Sequence, residues 1–314
     1  MKVLVTGGAG FIGSHLVEGL LARGDQVNVL DNFDPYYAPE RKRDNLAAVE
    51  GRIQLVEGDL RSPEDLSRAL EGVEIVAHLA ARPGVRPSIE DPVSYVDNNV
   101  RGTQCLLEAM RERGIGRMVY ASSSSVYGAR TDGPFRESDP VARPVSPYAA
   151  TKLAGELLCH AASQTWGLHV NCMRLFTVYG PRQRPEMAIH LFARKGLARE
   201  PIPRFGSGQS RRDYTFVSDI VAGLTSALER LDGFAVYNLG NGSPVTLEGL
   251  LGLLEEVLGV SLDVAPEPDQ PGDVPTTWAD VALAANKLDY APQISLRQGL
   301  ERFRDWLLAA GGGG

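Results

Sequence analysis

The sequence predicts an α/β protein: a doubly wound parallel sheet with a smaller C-terminal α/β lobe. Three observations carry the prediction. Near the N-terminus a short apolar run breaks into a glycine-rich turn and then a helical stretch. Strand-length apolar runs then alternate with helical stretches over short connections, which gives a parallel sheet covered on both faces. Beyond Gly180-Pro181 the texture changes, and prolines and arginines crowd the chain.

Residues 3–5, Val-Leu-Val, make the first buried strand. Thr6-Gly7-Gly8-Ala9-Gly10-Phe11-Ile12-Gly13 turns tightly into a helix over 14–23. Glycine lets the backbone approach a pyrophosphate, and the free N–H groups at a helix start favour its negative charge. The spacing Gly7-x-x-Gly10-x-x-Gly13 differs from the commonest dinucleotide fingerprint, and a glycine triplet alone is as readily a plain turn. Context decides. A second buried strand over 26–30 ends in Asp31, about 20 residues past the glycines, where a carboxylate can hold adenosine ribose hydroxyls. That carboxylate would repel a 2′-phosphate, so this Rossmann-type unit is expected to bind NAD rather than NADP.

A polar loop over 32–43 carries two tyrosines, and a short helix is expected over 45–49. A strand over 53–56 leads to Asp59. The helix over 63–70 has Ser62 as its cap and Pro63 at its first position. A strand over 75–78 ends in Leu79-Ala80-Ala81. Residues 91–113 are expected to form one helix, with Val100, Thr103, Leu106, Leu107 and Met110 on one stripe. A strand over 118–121 runs into Ser122–Ser125, followed by a helix over 148–165 and a strand over 170–175. Ligands of such sheets sit beyond the carboxyl ends of the strands. Asp31, Asp59, Ala81, Ser123 and Thr177 all lie there and are expected to line one crevice. Further helices are expected over 219–231, 246–258 and 296–309, with a proline-rich loop over 265–275. The division is residues 1–180 for the dinucleotide domain and 181–310 mainly for a substrate lobe, with the chain crossing between them. Gly311–Gly314 is a tail with no assigned role.

The 314 residues are 43% hydrophobic with a net charge of −7, enough for a large core. That charge gives no general attraction to nucleic acid or an anionic membrane, so an anionic ligand must meet locally placed arginines. Cys105, Cys159 and Cys172 show neither CxxC nor metal spacing, so no metal is expected. Their odd count, with no signal peptide, suggests the cytoplasm. No apolar run is long enough to span a bilayer. Cys159, Cys172 and His15 read as packing residues.

Tyr148 and Lys152 are four apart and share a helix face. A tyrosine ionises near pH 10, and a nearby ammonium with a cationic nicotinamide favours the phenolate. Such a tyrosine can take a proton from a sugar hydroxyl while hydride leaves the same carbon. A tyrosine and lysine at this spacing are also a common surface pair. The serine run Ser122–Ser125, emerging from a buried strand at the expected crevice, strengthens the catalytic reading.

TGGAGFIG, SSSSVYG, YxxxK and RDYTFV in this order resemble the extended short-chain dehydrogenase/reductase family, in its nucleotide-sugar epimerase branch. The resemblance runs to about Ala310. It implies NAD in the first domain and a UDP-sugar in the second. It assigns catalysis to Ser123, Tyr148 and Lys152. It assigns the cofactor to Gly7, Gly10, Phe11, Ile12, Gly13, Asp31 and Asn32, with Asp59-Leu60 at the adenine. Leu79, Ala80, Ala81 and Asn98 would lie along the nicotinamide side. UDP would meet Arg184, Met187, Ala188, Phe205, Arg212 and Asp273. Related dehydratases carry an Asp-Glu pair where Ser124-Ser125 stands, and UDP-glucuronate decarboxylases carry a Glu at Ser125; this chain has neither.

The segments around Pro83 and Arg86, Asp31–Tyr37, Thr177 and Gln270–Val274 are more similar to UDP-glucuronate 4-epimerases than to galactose epimerases, which have Asn in place of Thr177. The resemblance therefore implies 4-epimerisation of UDP-glucuronate to UDP-galacturonate. The alternatives are a 4-epimerase of neutral UDP-sugars (glucose/galactose or N-acetylhexosamines), a decarboxylase, or a non-catalytic NAD-binding regulator. The substrate carboxylate is expected against Ser125 and Thr177, with Arg86 close by. A homodimer is expected, its seam on the stripe of residues 91–113 unless that stripe faces the chain's own core.

Overall fold

The computed structural model of the chain describes residues 1–268 and 272–309. It opens with β1 (Lys2–Thr6), α1 (Phe11–Arg23), β2 (Gln26–Asp31), α2 (Pro39–Ala47), β3 (Ile53–Glu57), α3 (Pro63–Ala69) and β4 (Ile75–His78). Then come α4 (Val85–Glu90), α5 (Pro92–Tyr95), a π-helical turn (Val96–Arg101), α6 (Gly102–Glu112) and β5 (Arg117–Ser123). A 3-10 turn (Ser124–Tyr127), α7 (Pro147–Trp166), β6 (His169–Leu175), β7 (Thr177–Tyr179), α8 (Ala188–Ala198) and β8 (Ile202–Phe205) follow. The chain continues through β9 (Arg211–Arg212), β10 (Tyr214–Phe216), α9 (Val217–Glu229), β11 (Phe234–Leu239), β12 (Val245–Thr246) and α10 (Leu247–Leu258). It closes with β13 (Val264–Glu267), α11 (Ala282–Leu288) and α12 (Leu296–Ala309).

Seven strands form one sheet in the order β3-β2-β1-β4-β5-β6-β11. Every neighbouring pair is parallel. The winding reverses between β1 and β4, which opens a crevice at the carboxyl ends of the strands. Both faces of the sheet are apolar because helices cover both. Val3, Val5, Ile75 and Val119 pack in one core with Leu16 and Leu20 of α1 and Ile220 and Leu224 of α9. Leu4, Val76 and Met118 face the other core, with Leu66 of α3, Leu106 and Met110 of α6, and Cys159 of α7. Short two-stranded sheets pair β7 with β10, β8 with β13 and β9 with β12.

Three segments that shape the sheet and its cover differ from expectation, and the short strands beyond β6 and the helices α4 and α11 were not expected either. Helix α2 begins at Pro39, well before residue 45, because proline presets the first helical position. Residues 91–113 are not one helix but α5, the π turn and α6. The stripe on that segment is not a dimer seam: Thr103, Leu106, Leu107 and Met110 are buried against the chain's own sheet and helices. Strand β11 was not foreseen. Its six residues lie among the lobe-like sequence, yet they pair with β6 from Phe234↔Val170 to Leu239↔Leu175. The chain thus leaves the sheet after β6 and returns through α9 and β11.

Candidate active site

The glycine turn forms because nothing else fits. A side chain on Gly13 would put its Cβ 2.1 Å from the Gly7 carbonyl oxygen, and one on Gly7 would lie 2.8 Å from the Ala80 backbone. Gly7 also has φ +68°, in the left-handed region. The turn therefore packs flat against β4 and leaves the α1 N-terminus, capped at Gly10, open to an anion.

Asp31 ends β2, where its carboxylate accepts the Ala9 N–H at 3.1 Å and the Phe33 N–H at 2.9 Å. Burial pushes its carboxyl above the ordinary range, opposed by Lys42, whose Nζ lies 3.9 Å away. Asp59 follows β3 and is held below the ordinary range by Arg61, whose Nη2 donates to it at 2.7 Å. An anion cradle, a carboxylate at the ribose position and a carboxylate beyond β3 fit NAD. Asp31→Ala is expected to weaken NAD affinity about tenfold or more, the scale of one charge-assisted hydrogen bond. Titration of NAD into apoprotein checks this, and tight binding of NADP by the unmodified protein would contradict the assignment.

Strand β5 ends at Ser123, and α7 begins beside it. Ser146 caps that helix and Pro147 takes its first position, so Tyr148 and Lys152 fall on its first two turns. The Ser123 hydroxyl stands beside the Tyr148 phenol, and Ser125 Oγ donates to Ser123 Oγ at 2.8 Å. The Tyr148 N–H donates to Ser88 Oγ of α4 at 3.1 Å. Lys152 Nζ donates to the Ala121 carbonyl at 2.7 Å, and burial pushes its ammonium down to about 8. Burial pushes the Tyr148 phenol up, opposed by the Ser123 hydroxyl and the Arg184 charge.

These residues meet in a cavity of about 500 Å³ along the strand ends. Asp31, Asp59, Ala81, Ser123 and Thr177 all line it. So do Gly7, Gly10, Phe11, Ile12, Gly13, Asn32, Leu60, Leu79, Ala80 and Asn98 on the cofactor side. Pro83, Ser124, Ser125, Tyr148, Lys152, Arg184, Met187, Arg212 and Asp273 complete the expected set. Arg86, Ala188 and Phe205 are not among the lining residues. Arg86 Nη2 is on Asp273 Oδ2 at 2.8 Å and its guanidinium lies 4.5 Å from the Phe205 ring centre. Gln270, Pro271 and the tail Gly311–Gly314 lie outside the described residues; Gly272, Asp273 and Val274 line the cavity.

Despite the chain's net charge of −7, cations crowd the cavity: Lys42, Arg61, Arg82, Lys152, Arg184 and Arg212. Arg212 is pushed below its ordinary pKa by burial, so an anion beside it would be strongly held. Lys42 and Arg61 were not foreseen, whereas Arg82 and Tyr36 belong to the segments after β4 and β2 that the sequence marked for substrate choice. Arg61 follows Asp59-Leu60 on the same strand end, so the strand-end rule could have found it. Lys42 lies on the helix after β2, where spacing carries no signal. Among the described residues no group of His, Cys, Asp or Glu could hold a metal ion. His15 is a packing residue, with Nε2 at 2.9 Å from the Pro181 carbonyl.

Residues 3–240 match the family model for the NAD dependent epimerase/dehydratase family. UDP-glucuronate 4-epimerase 4 of Arabidopsis thaliana is 41% identical over 331 residues, covering 98% of this chain and 76% of that protein. The structure superposes on UDP-glucuronic acid 4-epimerase from Bacillus cereus, solved with UDP-glucuronic acid and NAD. That match has a TM-score of 0.93 and 38% identity, and covers 99% of this chain and 100% of the other. UDP-glucose 4-epimerase from Thermotoga maritima, solved with UDP-glucose, gives a TM-score of 0.92 at 31% identity, covering 99% of each chain. The backbone is therefore common to enzymes named for acidic and for neutral sugars, and side chains must distinguish them.

Proposed function

This chain belongs to the NAD dependent epimerase/dehydratase family, and from that premise we propose how its cavity performs the reaction: NAD-dependent 4-epimerisation of UDP-glucuronate to UDP-galacturonate. The observation that carries the reading is the join of β5 and α7. It sets Ser123 beside Tyr148 and lines the cavity around them with Ser124 and Ser125, hydroxyls where a dehydratase or decarboxylase needs a carboxylate, and with Thr177.

Bound NAD supplies the acceptor and donor of hydride at C4. Tyr148 takes the proton of the C4 hydroxyl and returns it after the sugar has turned its other face. Ser123 shares that hydrogen bond and fixes the direction of the phenol. Lys152 anchors the base of Tyr148's helix turn to Ala121 and keeps a positive charge nearby. Arg184 and Arg212 hold the diphosphate, since a guanidinium fork matches phosphate oxygens. Ser125 and Thr177 hold the carboxylate.

A panel of UDP-sugars with chromatographic separation of products tests the reading. UDP-glucuronate and UDP-galacturonate are expected to interconvert without CO2 release. Faster turnover of UDP-galactose than of UDP-galacturonate would move the assignment to neutral sugars.

Two coarser features complete the reading. The enzyme works as a homodimer, its seam shifted from the buried stripe to the outer faces of α5 and α7. There Val93 and Leu157 are 76% and 62% exposed, more apolar surface than a free helix face usually presents. Sedimentation is expected to show a dimer at micromolar concentration, and Leu157→Glu to give monomer; a monomeric unmodified protein would contradict the seam. Its place is the cytoplasm, a reading supported by three free cysteines. Among the described residues no helix is long and apolar enough to cross a membrane.

A further inference from the structure

The last residues of β5 meet α7 at successive turns of the helix. Ser123 stands beside Tyr148. The Ala121 carbonyl accepts from Lys152 Nζ at 2.7 Å. Between them in sequence, Ser122 Oγ donates to Glu156 Oε1, one turn beyond Lys152. Tyr148, Lys152 and Glu156 are spaced four apart, so one helix face carries all three.

Glu156 is not free to follow the helix surface. Arg174 of β6 grips it with two hydrogen bonds, Nε to Oε1 at 2.9 Å and Nη2 to Oε2 at 2.8 Å. Both partners are about 5% exposed or less. Arg174 is itself seated over the Tyr127 ring, 4.8 Å from its centre. Helix and strand come close because residue 155 is glycine: a Cβ there would lie 2.0 Å from the Tyr120 hydroxyl. A buried ion pair of this kind adds little net stability over an apolar pair, so its presence calls for another role.

We propose that Glu156 and Ser122 are positioning residues for the reaction. Arg174 fixes the Glu156 carboxylate, the carboxylate fixes the Ser122 hydroxyl, and Ser122 sets the strand residue that presents Ser123 to Tyr148. Neither residue is catalytic: Glu156 does not line the cavity, and Ser122, which stands in its wall, is 3% exposed and turns its hydroxyl onto Glu156. The inference rests on Tyr148 acting as the base, as proposed above.

Ser122→Ala removes the link while leaving the Arg174–Glu156 pair whole, and so avoids stranding a buried charge. Misplacement of catalytic groups by about 1 Å can cost 10²-fold in rate. Ser122→Ala is therefore expected to lower kcat for UDP-glucuronate about tenfold or more. KM and NAD affinity should stay within about twofold, because the binding groups are untouched. Ser122→Thr keeps a hydroxyl and is expected to recover part of the rate. Glu156→Gln, if it folds, should lower kcat similarly, and the double variant should be no worse than Glu156→Gln alone because both cut one link. A kcat for Ser122→Ala within twofold of the unmodified protein overturns the proposal. So does a loss that falls on KM or NAD affinity instead. The unmodified protein in the same assay separates this from failure of the epimerase reading: if it does not turn over UDP-glucuronate, that reading has failed first.

Discussion

Tyr148→Phe is expected to lower kcat about 10³-fold, within the range that a positioned general base contributes. The reason is local. Ser123 and Tyr148 stand together where a sugar hydroxyl would join them, and phenylalanine leaves no base there to take the proton. Binding should survive. The ring stays in its packing against Tyr95, at 6.3 Å between centroids, and the α7 cap does not involve the phenol. NAD and UDP-glucuronate affinities are expected within about threefold of the original, the scale of one neutral hydrogen bond. Calorimetry and product assay on one preparation check both halves. Persisting turnover near the original rate would mean that another group is the base.

The second large effect concerns the carboxylate. Oxidation at C4 of UDP-glucuronate makes a β-keto acid, which loses CO2 easily. The enzyme must hold that intermediate intact and still let it turn over. Ser125 and Thr177 are the hydroxyl donors expected to grip the carboxylate, and both line the cavity with Tyr148. Hydrogen bonds to a charged group are worth roughly 1.5–3 kcal/mol each. Thr177→Ala or Ser125→Ala is therefore expected to weaken UDP-glucuronate binding by about 10- to 100-fold, or to raise the share of 4-keto-pentose product. UDP-glucose binding should change much less. Thr177 is the cleaner site, because Ser125 also donates to Ser123 at 2.8 Å. If both variants keep the original affinity and release no extra CO2, the carboxylate is held elsewhere.

The central sheet was legible because its signals are local. Strand ends such as Asp31 and Ser123 stand beside glycine or serine turns, and Pro63 and Ser62 mark a helix start that the structure reproduces. Six strands follow from apolar runs bounded by such signals. Strand β11 escaped because its place is set by a partner 64 residues away, Val170 opposite Phe234, and not by its own flanks. The break of the 91–113 helix escaped for a similar reason. Asn99 in the π turn bonds the Arg82 backbone and Thr151 of α7, contacts that no spacing rule encodes.

The site divides in the same way. Groups attached to strand ends and the α7 start were readable from the order of elements. The Arg86–Asp273 pair was not legible because its partners are 187 residues apart in sequence. Lys42 and Arg61 are local to the cofactor side, yet lie on side chains whose direction depends on α2 and on the Asp97 carboxylate beside Arg61.

The central claim is that a hydride leaves C4 and returns to the same carbon from the other face without exchanging with water. Mass spectrometry of the UDP-galacturonate formed from UDP-glucuronate deuterated at C4 tests it most directly. The label is expected to remain on C4 in full, and unlabelled substrate in D2O is expected to yield product with no deuterium on carbon. Loss of the C4 label to solvent, or uptake of deuterium at C4 or C5 from D2O, would contradict it.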